Sequence, residues 1–137
     1  MSQENVALVR KAFEAWGSET AYSAGWIEAV LPFLDSEFEY REDPAWPGAG
    51  TYRGIPAFRR VMSGYFDAFA AQRVDTEEFL DAGDRVLVFM SWWARSHSGV
   101  EAVWPQAFIF TVRRGRLTSC QVVFDRSEAL KAVGLAE

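Results

Sequence analysis

Apolar side chains recur every three to four residues between Glu4 and Trp16. Val6, Val9, Phe13 and Trp16 fall on one face, which predicts a helix over 4–16. Ser2 is available to cap it, and Glu4 suits the positive end of its dipole. Beyond residues 17–25, a second apolar group of Trp26, Ile27, Val30 and Leu31 predicts a short helix. Pro32 interrupts it, because the residue before a proline avoids the α region. From Glu37 the period drops to two, with Phe38, Tyr40 and Glu42 on one face and Glu39, Arg41 and Asp43 on the other, as in a short strand. Gly54 and Pro56 mark the next helix start, since proline is tolerated in a first turn where its missing N–H is not needed. The apolar stripe of that helix is Ile55, Phe58, Met62, Tyr65 and Phe69.

The second half is strand-rich. Runs at 73–80, 85–96, 102–113 and 116–124 are separated by the segments DAGD, HSGVE and RGR, each with a turn-favouring glycine. Such short connections predict an antiparallel meander, and helices followed by a meander make an α+β domain, here a single one over residues 1–137. In the closing DRSEALKAVGL, Asp125 stands three residues before Glu128 and Gly134 follows, as an N-cap, its capping partner and a helix stop. Val86, Val88, Met90 and Trp92 alternate with Leu87, Phe89 and Trp93, so strand 85–96 is apolar on both faces. A sheet with one wet face alternates instead. Either a homodimer buries the outer sheet face or the sheet curls strongly enough to hide it.

Composition sharpens this picture in one respect. Half of the 137 residues are apolar, with eleven Phe, six Trp and four Tyr, more ring area than simple core filling needs. A hydrophobic cavity or a buried subunit interface absorbs the excess. The net charge of −5 argues against a nucleic-acid partner, which requires clustered Lys and Arg. Arg113, Arg114 and Arg116 surround Gly115 as a solvated hairpin tip does. The single cysteine, Cys120, cannot form an intramolecular disulfide and falls in an apolar strand pattern. No signal peptide, lipidation motif or apolar run of about 18 residues is present, so no membrane association is expected and the chain reads as soluble and cytoplasmic. One His and one Cys do not assemble a usual zinc set, so no metal site is expected. The GAG at 48–50 follows no strand-to-helix phosphate fingerprint, and no nucleophile elbow occurs.

The motifs ENVALVRKAFEAW, FLDSEFEYREDPAWPGAGTYRGIPAFRRVM, FLDAGDRVLVF, SHSGVEA, AFIFTVRRGRL and DRSEALKAVGL, in this order, resemble the SnoaL-like proteins of the nuclear transport factor 2-like superfamily. The likeness runs from about residue 4 to the C-terminus. It implies a cone: a strongly bent antiparallel sheet wrapped by N-terminal helices, with a mostly apolar internal pocket, often in a homodimer. Relatives include polyketide cyclases, ketosteroid isomerases and limonene epoxide hydrolases, so the fold leaves the chemistry open. The implied function is a small-molecule-binding domain for an apolar ligand. If it is enzymatic, the implied activity is that of a cofactor-independent isomerase, cyclase or epoxide-hydrolase-like enzyme. The alternative is a non-catalytic ligand-binding domain or a protein-interaction domain for dimerisation or assembly.

Members that do chemistry place a carboxylate or tyrosine in a dry pocket, where desolvation tunes it for proton transfer. Glu42 and Tyr40 share a face with Phe38, and the resemblance assigns a general base to this strand. The competing arrangement solvates Glu42 at a frayed strand end or pairs it with Arg41 or Arg53. Asp43 precedes Pro44 and suits a turn start. Asp125 matches an acidic position kept near the pocket in hydrolase-type relatives, although helix capping already accounts for it. His97 falls at a hairpin tip, facing solvent or the mouth of the cone. Trp16, Tyr65, Trp92, Phe108 and Phe110 lie on inward stripes, with Gln106 as a polar end, and are read as ligand-binding residues. Core packing produces the same stripes. Trp46, flanked by prolines, has little local core to fill and is read as a lid over the pocket or a dimer contact.

Overall fold

The computed structural model describes residues 2–16 and 26–135. Residues 17–25, expected to join the first two helices, lie outside the described residues, as do the side chains of Ser2 and Trp26. Helix α1 spans Ser2–Trp16 and α2 spans Trp26–Val30, followed by a 3-10 turn at Leu31–Phe33 that carries Pro32 in its first positions. Strand β1 covers Leu34–Arg41, β2 Thr51–Arg53, and α3 Ile55–Ala68. The meander consists of β3 (Ala71–Ala82), β4 (Arg85–Arg95), β5 (Glu101–Arg113) and β6 (Arg116–Val123), and α4 (Arg126–Ala132) closes the described chain. Strand β2 has no counterpart in the sequence reading, because three residues between Gly50 and Gly54 are too few to show a period.

The sheet order is β2-β1-β6-β5-β4-β3. Every pairing is antiparallel except that of β1 with β6, which runs parallel because the chain leaves β1, builds the rest of the sheet, and returns to its other edge. Register shifts at Leu34/Glu39, Thr76/Glu78 and Thr111/Val112 mark bulges, which bend and twist a strand locally. They curl the six strands into an unclosed cone, and the chain is α+β as the sequence indicated. The tip between β5 and β6 is a two-residue turn, with Arg114 and Gly115 at φ 53° and 73°. Those left-handed values give the turn a twist that matches the flanking strands.

Helices α1 and α3 lie on the inner face, α1 against β3 and β4 and α3 against β1 and β2. Val9 of α1, Phe58 and Met62 of α3, and Phe38, Val86, Val88 and Met90 of the sheet form the main core. The outer face is treated differently at its two ends. Helix α4 covers Leu87, Ala107 and Ile109 with Ala129 and Val133. Arg126 fastens it, donating to Glu77 at 3.0 Å and to the Met90 carbonyl at 3.0 Å while stacking on Phe89. At the other end the guanidinium groups of Arg73 and Arg95 lie over the Trp93 ring, and Trp93 donates its indole N–H to Glu101 at 2.8 Å. The apolar second face of β4 is thus covered in part by this chain's own C-terminal helix, a solution the strand pattern alone did not contain.

Candidate functional site

Alternation in β1 sends Phe38 and Tyr40 inward, and Glu42, one residue past the strand's end, keeps the same direction. It is 8 % exposed. Its backbone N–H donates to the Gly50 carbonyl at 3.0 Å, and the Gly50 N–H donates to Glu42 Oε1 at 3.1 Å, which folds residues 42–50 back on themselves. Asp43 completes this loop. Its Oδ1 accepts from the Ala45 N–H at 2.8 Å, and its Oδ2 accepts from the Phe124 N–H at 2.8 Å, tying the loop to the end of β6. Glu42 pairs with neither Arg41 nor Arg53: Arg41 contacts Glu39, and Arg53 faces Glu37.

The partner of Glu42 comes from α3. The Tyr65 hydroxyl donates to Glu42 Oε2. Burial, followed by the hydrogen bond to Glu42 and by its charge, raises the pKa of Tyr65 well above its ordinary value, so the phenol remains a donor near neutrality. Tyr52 of β2 faces the same carboxylate, and its pKa is raised first by burial and then by the charge of Glu42. Gly50 leaves room for this phenol, because a Cβ there would stand 3.1 Å from the Tyr52 hydroxyl. The backbone of α3 is itself positioned by Gln72 of β3, which is 6 % exposed. Gln72 donates to the Tyr65 carbonyl at 3.0 Å and accepts from the Trp92 indole at 3.0 Å.

The carboxylate borders an internal cavity of about 70 Å3. Its walls include Trp16, Tyr40, Trp46, Tyr65, Trp92 and Phe108, with Gln106 as a buried amide. A smaller space of about 30 Å3 adjoins it, sharing Trp16, Tyr40 and Phe108, and Phe110 and Cys120 line this second space rather than the first. Cys120 is fully enclosed, and burial raises its thiol pKa. On the far side of Glu42 an open groove of about 290 Å3 runs between the 46–52 segment and the second half of α3. Glu42, Trp46 and Tyr65 line both the inner cavity and this groove, so they form the partition between them. Trp46 is half-buried, with its ring 6.2 Å from Tyr65, 5.6 Å from Trp92, and 6.1 Å from both Trp104 and Phe124.

Other expected positions fall elsewhere. Asp125 is exposed and caps α4, accepting from the N–H groups of Ser127 and Glu128. The Ser127 hydroxyl first, then those N–H groups, hold its carboxyl below the ordinary range. A carboxyl depressed in the folded state stabilises it above the unfolded pKa, and that stability is lost as pH falls through the folded value. Asp125→Ala is therefore expected to lower the melting temperature at pH 7, with the difference from wild type vanishing well below about pH 3.9. Equal melting at pH 7 counts against the cap. His97 is exposed, bonded through Nε2 to the Asp67 carbonyl at 2.9 Å, and lines neither the cavities nor the groove. Phe124, Met62, Val74 and Gln72 line the inner cavity without having been singled out in the sequence. Only the apolar stripe of α3 held a signal for any of them, at Met62. Among the described residues no cluster of His, Cys, Asp and Glu is placed to hold a metal ion, and no helix is long and apolar enough to cross a membrane.

A curled, unclosed sheet with helices on its concave side and a cavity beneath them defines the class of NTF2-like cone folds. The SnoaL-like domain model matches residues 9–120, and the chain belongs to that family. An NTF2-like protein from Burkholderia pseudomallei superimposes with a TM-score of 0.76 at 19 % identity, covering 95 % of this chain and 97 % of that one. A putative SnoaL-like polyketide cyclase from Jannaschia gives 0.74 at 19 %, covering 99 % and 95 %. TerC, crystallised with polyporic acid, gives 0.73 at 20 %, covering 96 % and 98 %. A search of curated proteins found no match.

Proposed function

We propose that this chain is a small-molecule-binding domain that performs cofactor-free proton transfer of the isomerase or cyclase type, with Glu42 as the base. The observation that supports this most is a carboxylate only 8 % exposed, held by a phenol and a backbone N–H at the border of a cavity walled by aromatic rings. In such a reaction Glu42 takes a proton from a carbon next to a carbonyl and returns it at another carbon. The developing oxyanion accepts a hydrogen bond from the Gln106 amide, which is 4 % exposed in the same cavity. Tyr65 is a positioning residue here: its phenol fixes the carboxylate, and its raised pKa keeps the proton on oxygen. Tyr40 lines the same cavity. The crystallisation of TerC with polyporic acid is consistent with a small-molecule role for this fold. Deuterium uptake from D2O into the α-positions of a panel of small ketones, wild type against Glu42→Gln, tests the reading.

One observation favours the non-catalytic alternative. The second carboxylate at the cavity, Asp43, is occupied by two backbone N–H groups, which leaves a single acid for chemistry. We further infer a homodimer through the uncovered end of the outer sheet face, where Val103 is 58 % exposed close to Trp93. Val103→Asp is expected to shift the chain to monomer in analytical ultracentrifugation, and an unchanged dimer rules out this face.

A further inference from the structure

The groove outside Glu42 has a chemical character distinct from the cavity inside it. Its walls are the rings of Trp46, Tyr52, Tyr65 and Phe69, and its open side is left by Gly48 and Gly64, where an added Cβ would meet nothing within 4 Å. No lysine, arginine or histidine lines either the groove or the inner cavity, and no cationic side chain pairs with Glu42 among the described residues. The donors that hold the carboxylate, Gly50 N–H and the phenols, are all neutral. A buried carboxylate without a counter-ion, ringed by π-faces, attracts a cation and repels an anion.

We infer that this site takes an alkylated ammonium ion, seated in the groove against Glu42 and the faces of Trp46, Tyr52 and Tyr65. The kind of cation follows from hydrogen-bond supply. A primary ammonium or guanidinium brings three or more N–H donors, which need acceptors. Among its side chains the groove offers one carboxylate whose oxygens already accept from Gly50 and Tyr65, and otherwise the two phenol oxygens. A quaternary or tertiary ammonium needs few acceptors or none, because its methyl groups carry the charge onto ring faces. A metal ion fits no better, since it requires several oxygen ligands. The inference rests on the small-molecule reading above and names its ligand class. Glu42 serves both, as the ammonium's partner on the groove side and the proton acceptor on the cavity side.

The test uses choline and its uncharged carbon isostere, 3,3-dimethylbutan-1-ol, which differ in charge and hardly in shape. Binding is followed by tryptophan fluorescence and calorimetry on the intact chain. Choline is expected to bind about tenfold tighter or more. Glu42→Gln should bring the two ligands to parity, and Gly64→Leu, which fills the groove from an exposed helix position, should weaken both. Equal affinity of wild type for the two ligands overturns the ammonium assignment and leaves the small-molecule reading standing. Binding of neither ligand also overturns the ammonium assignment, while the small-molecule reading stands or falls on deuterium uptake by the ketones, and choline binding retained by Gly64→Leu overturns the placement. Should Glu42→Gln fail to fold, the wild-type ratio alone decides.

Discussion

Glu42→Gln is expected to reduce proton transfer by about 10²- to 10⁴-fold, the range that removal of a positioned general base produces. The substitution is informative because it changes little else. Gly50 N–H and the Tyr65 hydroxyl address different oxygens of the carboxylate. A glutamine can turn its carbonyl toward Gly50 and its amide NH2 toward Tyr65, whose hydroxyl both donates and accepts. The loop from 42 to 50 then keeps its closure, and the structural cost stays near that of one weakened hydrogen bond, about 1 kcal/mol. Loss of activity with nearly unchanged denaturation identifies a chemical role. Full deuterium uptake by the variant would sink the assignment of Glu42 and leave the binding reading in its place.

Trp46→Ala is expected to have the largest effect on stability and on ligand size together. The ring touches Tyr65, Trp92, Trp104 and Phe124, and Tyr65, Trp92 and Phe124 also line the walls of the inner cavity with Glu42. A fully buried Trp→Ala change costs about 3–5 kcal/mol, and a half-buried ring less, so about 2–3 kcal/mol is expected by urea denaturation. The same change removes the partition between the inner cavity and the groove. The inner cavity measures about 70 Å3, and Trp46 lines both it and the groove. Loss of the ring is expected to join the two spaces and make room for a larger cyclic ligand. The variant is expected to bind larger cyclic ketones than wild type does. A stability loss under 0.5 kcal/mol, or an unchanged size limit, would show that Trp46 is not the partition.

Much of this was written locally. The alternation Phe38, Tyr40, Glu42 states a direction that sheet geometry obeys, and all three side chains are buried. The capping spacing of Asp125 describes what its side chain does, since capping involves residues two and three positions away. The glycine-containing turns and the long β4–β5 pairing likewise follow from neighbours in sequence.

Other features were not legible. Gln72 sits in AQRVD with nothing to distinguish it from a surface glutamine, yet it bonds Tyr65 and Trp92. Asp43 reads as a turn residue and is one, while its second oxygen holds Phe124, 81 residues away. Phe108 and Phe110 share a strand face, but the curl of β5 turns Phe110 into the smaller space.

By itself the sequence determined the element order, the α+β class, the family resemblance and the inward face of β1. These depend on periodicity, turn chemistry and spacing, which act over a few residues. The tertiary structure decided that Tyr65 of α3 reaches Glu42, that Trp46 divides an inner cavity from an outer groove, and that α4 covers part of the second sheet face. Those outcomes depend on where bulges bend the strands and on which distant side chains the bend brings together, and no local pattern encodes that.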